Sequence, residues 1–159
     1  MAGLVHDLIQ TLTEEENVYE ELLILATEKT NTIRTNNMEL LQKITAAETA
    51  IIGRGQRLEN KREFTVKNIG VVLNKKPEDL TLTVIADIIN NPEDSLQILE
   101  LRDRLKGILE ALKEKNAQNK ILLEGALDYI EFSVNLMRDA ISDTHPEDTM
   151  KNNFFDAKQ

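Results

Sequence analysis

From Asn91 to about Ile141 the chain carries apolar residues at alternating steps of three and four, with no proline beyond Pro92 inside the stretch. Ile98, Leu101, Leu105, Ile108 and Leu112 form the first half of this stripe. Leu122, Leu123, Ala126, Leu127, Ile130, Val134, Met137 and Ile141 form the second. That period belongs to one face of an α-helix. Asn91 offers a side-chain cap, Pro92 stands where a missing N–H costs nothing, and Asp94 sets negative charge at the positive helix end. At about 1.5 Å per residue the helix is roughly 75 Å long, unless Gly107 or Gly125 bends it. Few domains of 159 residues bury such a rod from end to end, so the remaining segments must be laid along it.

Those segments also read as helices. In residues 1–33, Val5, Leu8, Leu12, Tyr19, Leu22, Leu23, Ala26 and Ile33 share one face, with a polar gap at Glu15 and Glu16. Up to Glu28 this segment has seven carboxylates and no Lys or Arg, a self-repelling helix when alone. Arg34-Thr35-Asn36-Asn37 is the break, and Asn accepts both cap and turn conformations. A second helix then runs from about Met38 to Leu73 through Leu41, Ile44, Ile51, Leu58, Val66 and Ile69, and it is rich in Lys and Arg. Reversal at Asn36-Asn37 brings Glu14–Glu16 near Arg57, and Asp7 near Lys67 and Arg62. The charges thus select an antiparallel hairpin, although each exposed pair is worth only about 0.2–1 kcal/mol. Gly53 and Gly55 suit close approach of a neighbouring helix and are wrongly spaced for a phosphate loop.

Asn74 to Asp79 is a linker, and Thr81 caps a short helix over Leu82–Asn90. Leu80 to Ile85 also resembles a strand, but a lone strand has no partner anywhere in the chain. The expected fold is all-α: an elongated antiparallel bundle of three long or medium helices plus one short helix, with coiled-coil-like packing. It spans 1–141 as a single domain and leaves 142–159 as a flexible tail. The hairpin arms are roughly 48–55 Å long, so the long helix is expected to overhang them at its C-terminal end. Tyr129, Ile130, Phe132, Val134, Leu136, Met137 and Ile141 lie in that overhang on more than one face, where uncovered apolar surface calls for a partner or a folded-back tail. Phe154 and Phe155 are the apolar pair of the tail.

Composition narrows the chemistry. Cysteine is absent, so disulfides, thiolate catalysis and Cys-based metal sites are absent with it. Two histidines, His6 and His145, stand far apart in sequence, and neither follows a Glu by three residues as di-iron bundles require. No nucleophile elbow, phosphate loop or glycine fingerprint is present. The expectation is a protein without enzymatic activity, cofactor or metal. A formal charge of −9 opposes binding to nucleic acid. No basic-then-apolar leader and no membrane span are evident, which makes the cytoplasm the expected location. Asn116 and Asn119 interrupt the stripe of the long helix. Buried amides must find partners and so reject shifted packings; Glu48, Glu59 and Arg62 on the second helix are the expected partners of this polar seam. A recognition spot for another chain is the competing reading of the two amides.

Taken in order, Leu8-Ile9, Leu12, Glu16, Tyr19, Leu22-Leu23, Ala26 and Glu28-Lys29 resemble the opening of the FlgN family of flagellar export chaperones. The likeness continues through Leu41, Ile44, Glu48, Ile51-Ile52, Leu58-Glu59 and Arg62. It closes with Leu80-Thr81-Leu82, Asn116-Ala117-Gln118-Asn119, Leu122-Leu123, Leu127, Tyr129-Ile130 and Leu136-Met137, covering about residues 4–140. The resemblance implies a cytoplasmic type III secretion chaperone for flagellum biogenesis. Its clients would be the hook-associated proteins FlgK and FlgL, held by their helical C-terminal ends and delivered to the flagellar export apparatus. It also implies client binding by the C-terminal portion, in agreement with a groove of Tyr129, Ile130, Val134, Met137 and Ile141 in the overhang. Phe154 and Phe155, in a tail outside the resemblance, are either a small hook onto the bundle or part of that partner site. Competing readings are a structural bundle protein that self-associates into a homo-oligomer through the same surface, and a chaperone of another flagellar subunit.

Overall fold

The computed structural model describes residues 1–142, which form four α-helices joined by short connections. Helix α1 spans Ala2–Arg34, α2 spans Met38–Leu73, α3 spans Leu82–Ile88 and α4 spans Pro92–Ser142. A 3-10 turn at Pro77–Asp79 lies between α2 and α3. The protein is all-α, with no strand among the described residues. By its internal contacts the chain divides into two compact units, Met1–Asn119 and a second that begins at Lys120.

Asparagines close both long helices of the hairpin. Asn36 takes φ 54°, and the amides of Asn36 and Asn37 donate to the carbonyls of Ile33 and Thr32, each at 3.2 Å. Asn74 also takes φ 54°, and Asn74 and Lys75 donate to Val71 and Gly70. Both ends are Schellman motifs, with Asn where Gly is commonest because its short polar side chain tolerates the left-handed region. Asn37 then serves the next helix, its side chain accepting from the Leu40 amide at 3.1 Å. Thr81 does the same for α3 and Asn91 for α4, through the amides of Val84 and Glu93.

Ion pairs between α1 and α2 join Lys29 to Glu48, Glu21 to Arg54 and Glu15 to Arg62. Their sequence separations widen from 19 to 33 to 47, as an antiparallel hairpin demands. The pairs lie between half a helical turn and one turn from the expected register: Glu15 reaches Arg62 rather than Arg57, while Glu21–Arg54 is displaced least. Side-chain direction explains the offset. Cα–Cβ bonds lean toward a helix's own N-terminus, which is away from the turn on α1 and toward it on α2. Long side chains therefore meet a residue lying farther out on α2. Where only a short side chain intervenes, the simple register holds: a Cβ on Gly55 would sit 3.3 Å from Val18 Cγ1. Gly53 has nothing within 4 Å, so of the two glycines Gly55 alone permits close approach. Asp7 forms no ion pair among the described residues.

Helix α4 runs parallel to α1, because Glu16 meets Arg104 and Thr30 meets Asn119 at offsets of 88 and 89 residues. The core of this unit gathers Leu8 and Leu12 of α1, Ile69 of α2, Ile85 of α3 and Ile98 and Leu101 of α4, each at most 1% exposed. Each such side chain contributes about 1.5–3 kcal/mol by leaving water. Helix α3 is fixed across this end of the bundle by two bonds from α4: Ser95 Oγ donates to the Ala86 carbonyl and Arg102 Nη1 to Thr83 Oγ1, each at 2.7 Å. It ends at Ile88, two residues short of the expected Asn90, where Ile89 turns to extended backbone.

Candidate partner-binding site

In α4, the buried residues are Ile98, Leu101, Leu105 and Asn119. From Lys120 to Ser142 no described residue is buried. A helix turning at about 100° per residue sets Ile130, Val134, Met137 and Ile141 in one row. Tyr129, Phe132 and Leu136 form a second row beside it, while Glu124, Asp128 and Glu131 take the opposite side. Apolar side chains thus occupy well over half the circumference. Tyr129 is 71% exposed and Met137 69%; Ile130, Phe132, Leu136 and Ile141 are also exposed, and Val134 is least so at 36%. A helix this apolar around its girth is ordinarily covered by other chain. Phe132 and Leu136, expected in the uncovered overhang but not in the narrower groove, share this exposure on the neighbouring row. Phe154 and Phe155 lie outside the described residues.

The residues expected to form a polar seam are distributed differently. Asn119 is buried, 3% exposed, and its partners come from α1: its Nδ2 donates to the Ala26 carbonyl, and its Oδ1 accepts from the Thr30 hydroxyl. Asn116 is exposed. Glu48 pairs with Lys29 and Arg62 with Glu15, so neither reaches an amide of α4. The cause is the parallel packing of α4 against α1, which presents the stripe ending in Asn119 to Ala26 and Thr30. Thr30 was the missed member. It stands four residues after Ala26 on the buried face, and its one hydroxyl proton is shared between Asn119 Oδ1 and the Ala26 carbonyl, 3.1 Å away. A threonine satisfied within its own helix is cheap to bury.

Glu15 fills the polar gap in the α1 stripe, and it too is buried, 2% exposed. Arg62 Nε lies 3.1 Å from both of its carboxylate oxygens. Burial pushes the Glu15 carboxyl above its ordinary value; Arg62 opposes that shift and Glu59 adds to it. The Tyr19 phenol is raised as well, first by burial and then by the negative charge of Glu15 and Glu59. Glu59 therefore acts on this cluster through its charge.

Among the described residues, no group of three His, Asp or Glu side chains could hold a metal ion, and no helix is long and apolar enough to cross a membrane. The chemistry offered by this surface is that of contact: aromatic and aliphatic side chains on one helix, with a carboxylate flank. A family model described as FlgN protein matches residues 1–146. No curated protein and no solved structure matches the chain.

Proposed function

The chain belongs to the FlgN family of flagellar export chaperones, and from that premise we propose that it holds the helical C-terminal ends of hook-associated proteins of the FlgK and FlgL type. In this reading it works in the cytoplasm, keeps its clients from premature assembly, and passes them to the flagellar export apparatus. The observation that supports the reading is the exposed apolar girth of α4 between Tyr129 and Ile141. An amphipathic client helix laid along it would cover Ile130, Val134, Met137 and Ile141 on one row and Tyr129 on the next, which is helix-in-groove recognition. Both surfaces would then be withheld from aggregation until release. Because the client must leave again, the binding energy is expected to rest on a few anchors, with Tyr129 and Met137 the foremost by exposed apolar surface. The family is not one of enzymes, and no step of this reading involves a covalent change.

Calorimetric titration of the full-length protein with C-terminal segments of hook-associated proteins from the same cell tests the proposal. Binding at about micromolar or tighter Kd, lost in Met137→Glu while the helical signal persists, is the expected result. Absence of binding by a folded protein would overturn it. A mass that rises with protein concentration would then favour self-association; binding of a different flagellar subunit would favour that subunit as the client.

A further inference from the structure

The unit Met1–Asn119 holds a groove of about 390 Å³ lined by residues of α1, α3 and α4 and by Arg62 of α2. Its volume falls within the usual range for ligand sites. Leu12, Leu82, Leu105 and Leu109 give it an apolar lining, and Leu109 is 43% exposed although it sits within the bundle unit. Glu15 and Arg62 are closed on each other, which leaves Arg102, Lys106 and Lys113 against Glu110 at the open rim. In a chain of formal charge −9, this rim is locally cationic.

Arg102, Lys106, Leu109 and Lys113 follow one another at steps of four, three and four, so they form a single row along α4. Arg102 is held by Thr83 and Asp103. Lys106 and Lys113 form no ion pair among the described residues. They are two turns apart, roughly 10 Å along the axis, with the exposed Leu109 between them. Tyr19, whose hydroxyl has no hydrogen-bond partner among the described residues, also lines the groove.

We infer that this groove is a docking site for an acidic amphipathic helix of a partner protein, separate from the apolar girth beyond Tyr129. Two carboxylates about two turns apart on the incoming helix would reach Lys106 and Lys113. Aliphatic side chains between them would seat on Leu82 and Leu109, above the buried Leu105, and water leaving the two more accessible leucines supplies the favourable contact. A uniformly anionic polymer or vesicle is a poor occupant, because the net negative charge of the whole chain repels it. A protein segment carries few carboxylates and interleaves them with apolar groups, which matches a groove of two unpaired cations around leucine.

The test titrates full-length isotope-labelled protein with a synthetic helical peptide that carries two glutamates seven residues apart and leucines between them. Amide shifts are read by NMR and affinity by fluorescence anisotropy. Shifts at Leu82, Leu105 and Leu109 are expected, with affinity at least about tenfold weaker in the double variant Lys106→Glu, Lys113→Glu. A second peptide with lysines in place of the glutamates should bind that variant and not the natural protein. Met137→Glu should leave peptide binding unchanged, which separates this site from the proposed client surface. Shifts confined to residues 121–141, equal affinity in the charge-reversed variant, or no shift up to about 1 mM peptide would overturn the inference. So would dimerisation of the natural protein, without peptide, that is abolished by the charge reversal, since the groove would then belong to a second copy of the chain.

Discussion

Asn119 clasps two levels of α1 at once: its Nδ2 donates to the Ala26 carbonyl at 2.8 Å while its Oδ1 accepts from the Thr30 hydroxyl at 2.5 Å. The amide is the last buried side chain of α4, and both of its hydrogen-bonding atoms are answered by a single neighbour helix. A slide of α4 by one position would leave the amide unpaired in the interior, which costs about 1–3 kcal/mol.

The two residues should therefore be energetically coupled. Asn119→Leu and Thr30→Val are each expected to change stability modestly, because Ala26 and Thr30 keep bonds within α1. A double-mutant cycle should give an interaction energy of about 0.5–3 kcal/mol. Chemical denaturation of the four proteins measures it, and strict additivity would deny the clasp any role in register.

Glu15 sets a pH dependence whose sign follows from its raised pKa. The native state holds the Glu15 proton to higher pH than the unfolded chain does. The stability linked to this group is therefore complete below the unfolded carboxylate value and is lost as pH rises through the higher folded value. Glu15→Gln should remove that loss. The variant is expected to gain on the natural protein in denaturation midpoint as pH rises above the ordinary carboxylate range and through the raised folded value. A gap that stays constant with pH would show that the carboxylate titrates as it does when unfolded.

Two glycines of α2 should respond in opposite ways. Gly53 has open space where a Cβ would stand, so Gly53→Ala should stabilise by roughly 0.5–1 kcal/mol through helix propensity. A Cβ on Gly70 would lie 2.7 Å from the backbone oxygen of Lys75. Gly70→Ala should thus cost about 1–3 kcal/mol, because the strain it brings outweighs the same propensity gain. Thermal melts of the two variants decide the matter.

Met137→Glu should leave folding almost unchanged, within about 0.5 kcal/mol, because the residue is exposed and far in sequence from the last buried position of its helix. Circular dichroism and a denaturation curve measure this apart from any binding assay. A cooperative loss of structure would mean that Met137 belongs to a core.

Much of this architecture was legible in the residues. Periodicity placed the four helices, and Asn37, Thr81 and Asn91 announced their caps because capping is a local property of three or four residues. Charge sense selected the antiparallel hairpin, while the lean of side chains along each helix displaced its ion pairs by up to a turn. Which helix would answer Asn119 depended on the face that α4 turns toward α1. That choice is set by packing over the whole bundle, and a stripe at helical spacing says nothing of which neighbour it meets. Glu15 looked like a gap in an apolar stripe and is instead a buried member of it, made tolerable by Arg62 from another helix. The exposed girth near Tyr129 was readable from the same periodicity, since its apolar residues populate more than one face.

The absence of buried side chains among the described residues after Asn119 has a thermodynamic consequence. A helical segment of that length without tertiary burial rests on local propensity, which in water is marginal. Its backbone amides should exchange with deuterium far sooner than those around Leu101, and slow down when a client covers them. Part of any association free energy then goes into ordering the helix itself, so the measured affinity would understate the contact between the two surfaces. In the role proposed above, a segment ordered by contact would grip an extensive apolar surface and still let go.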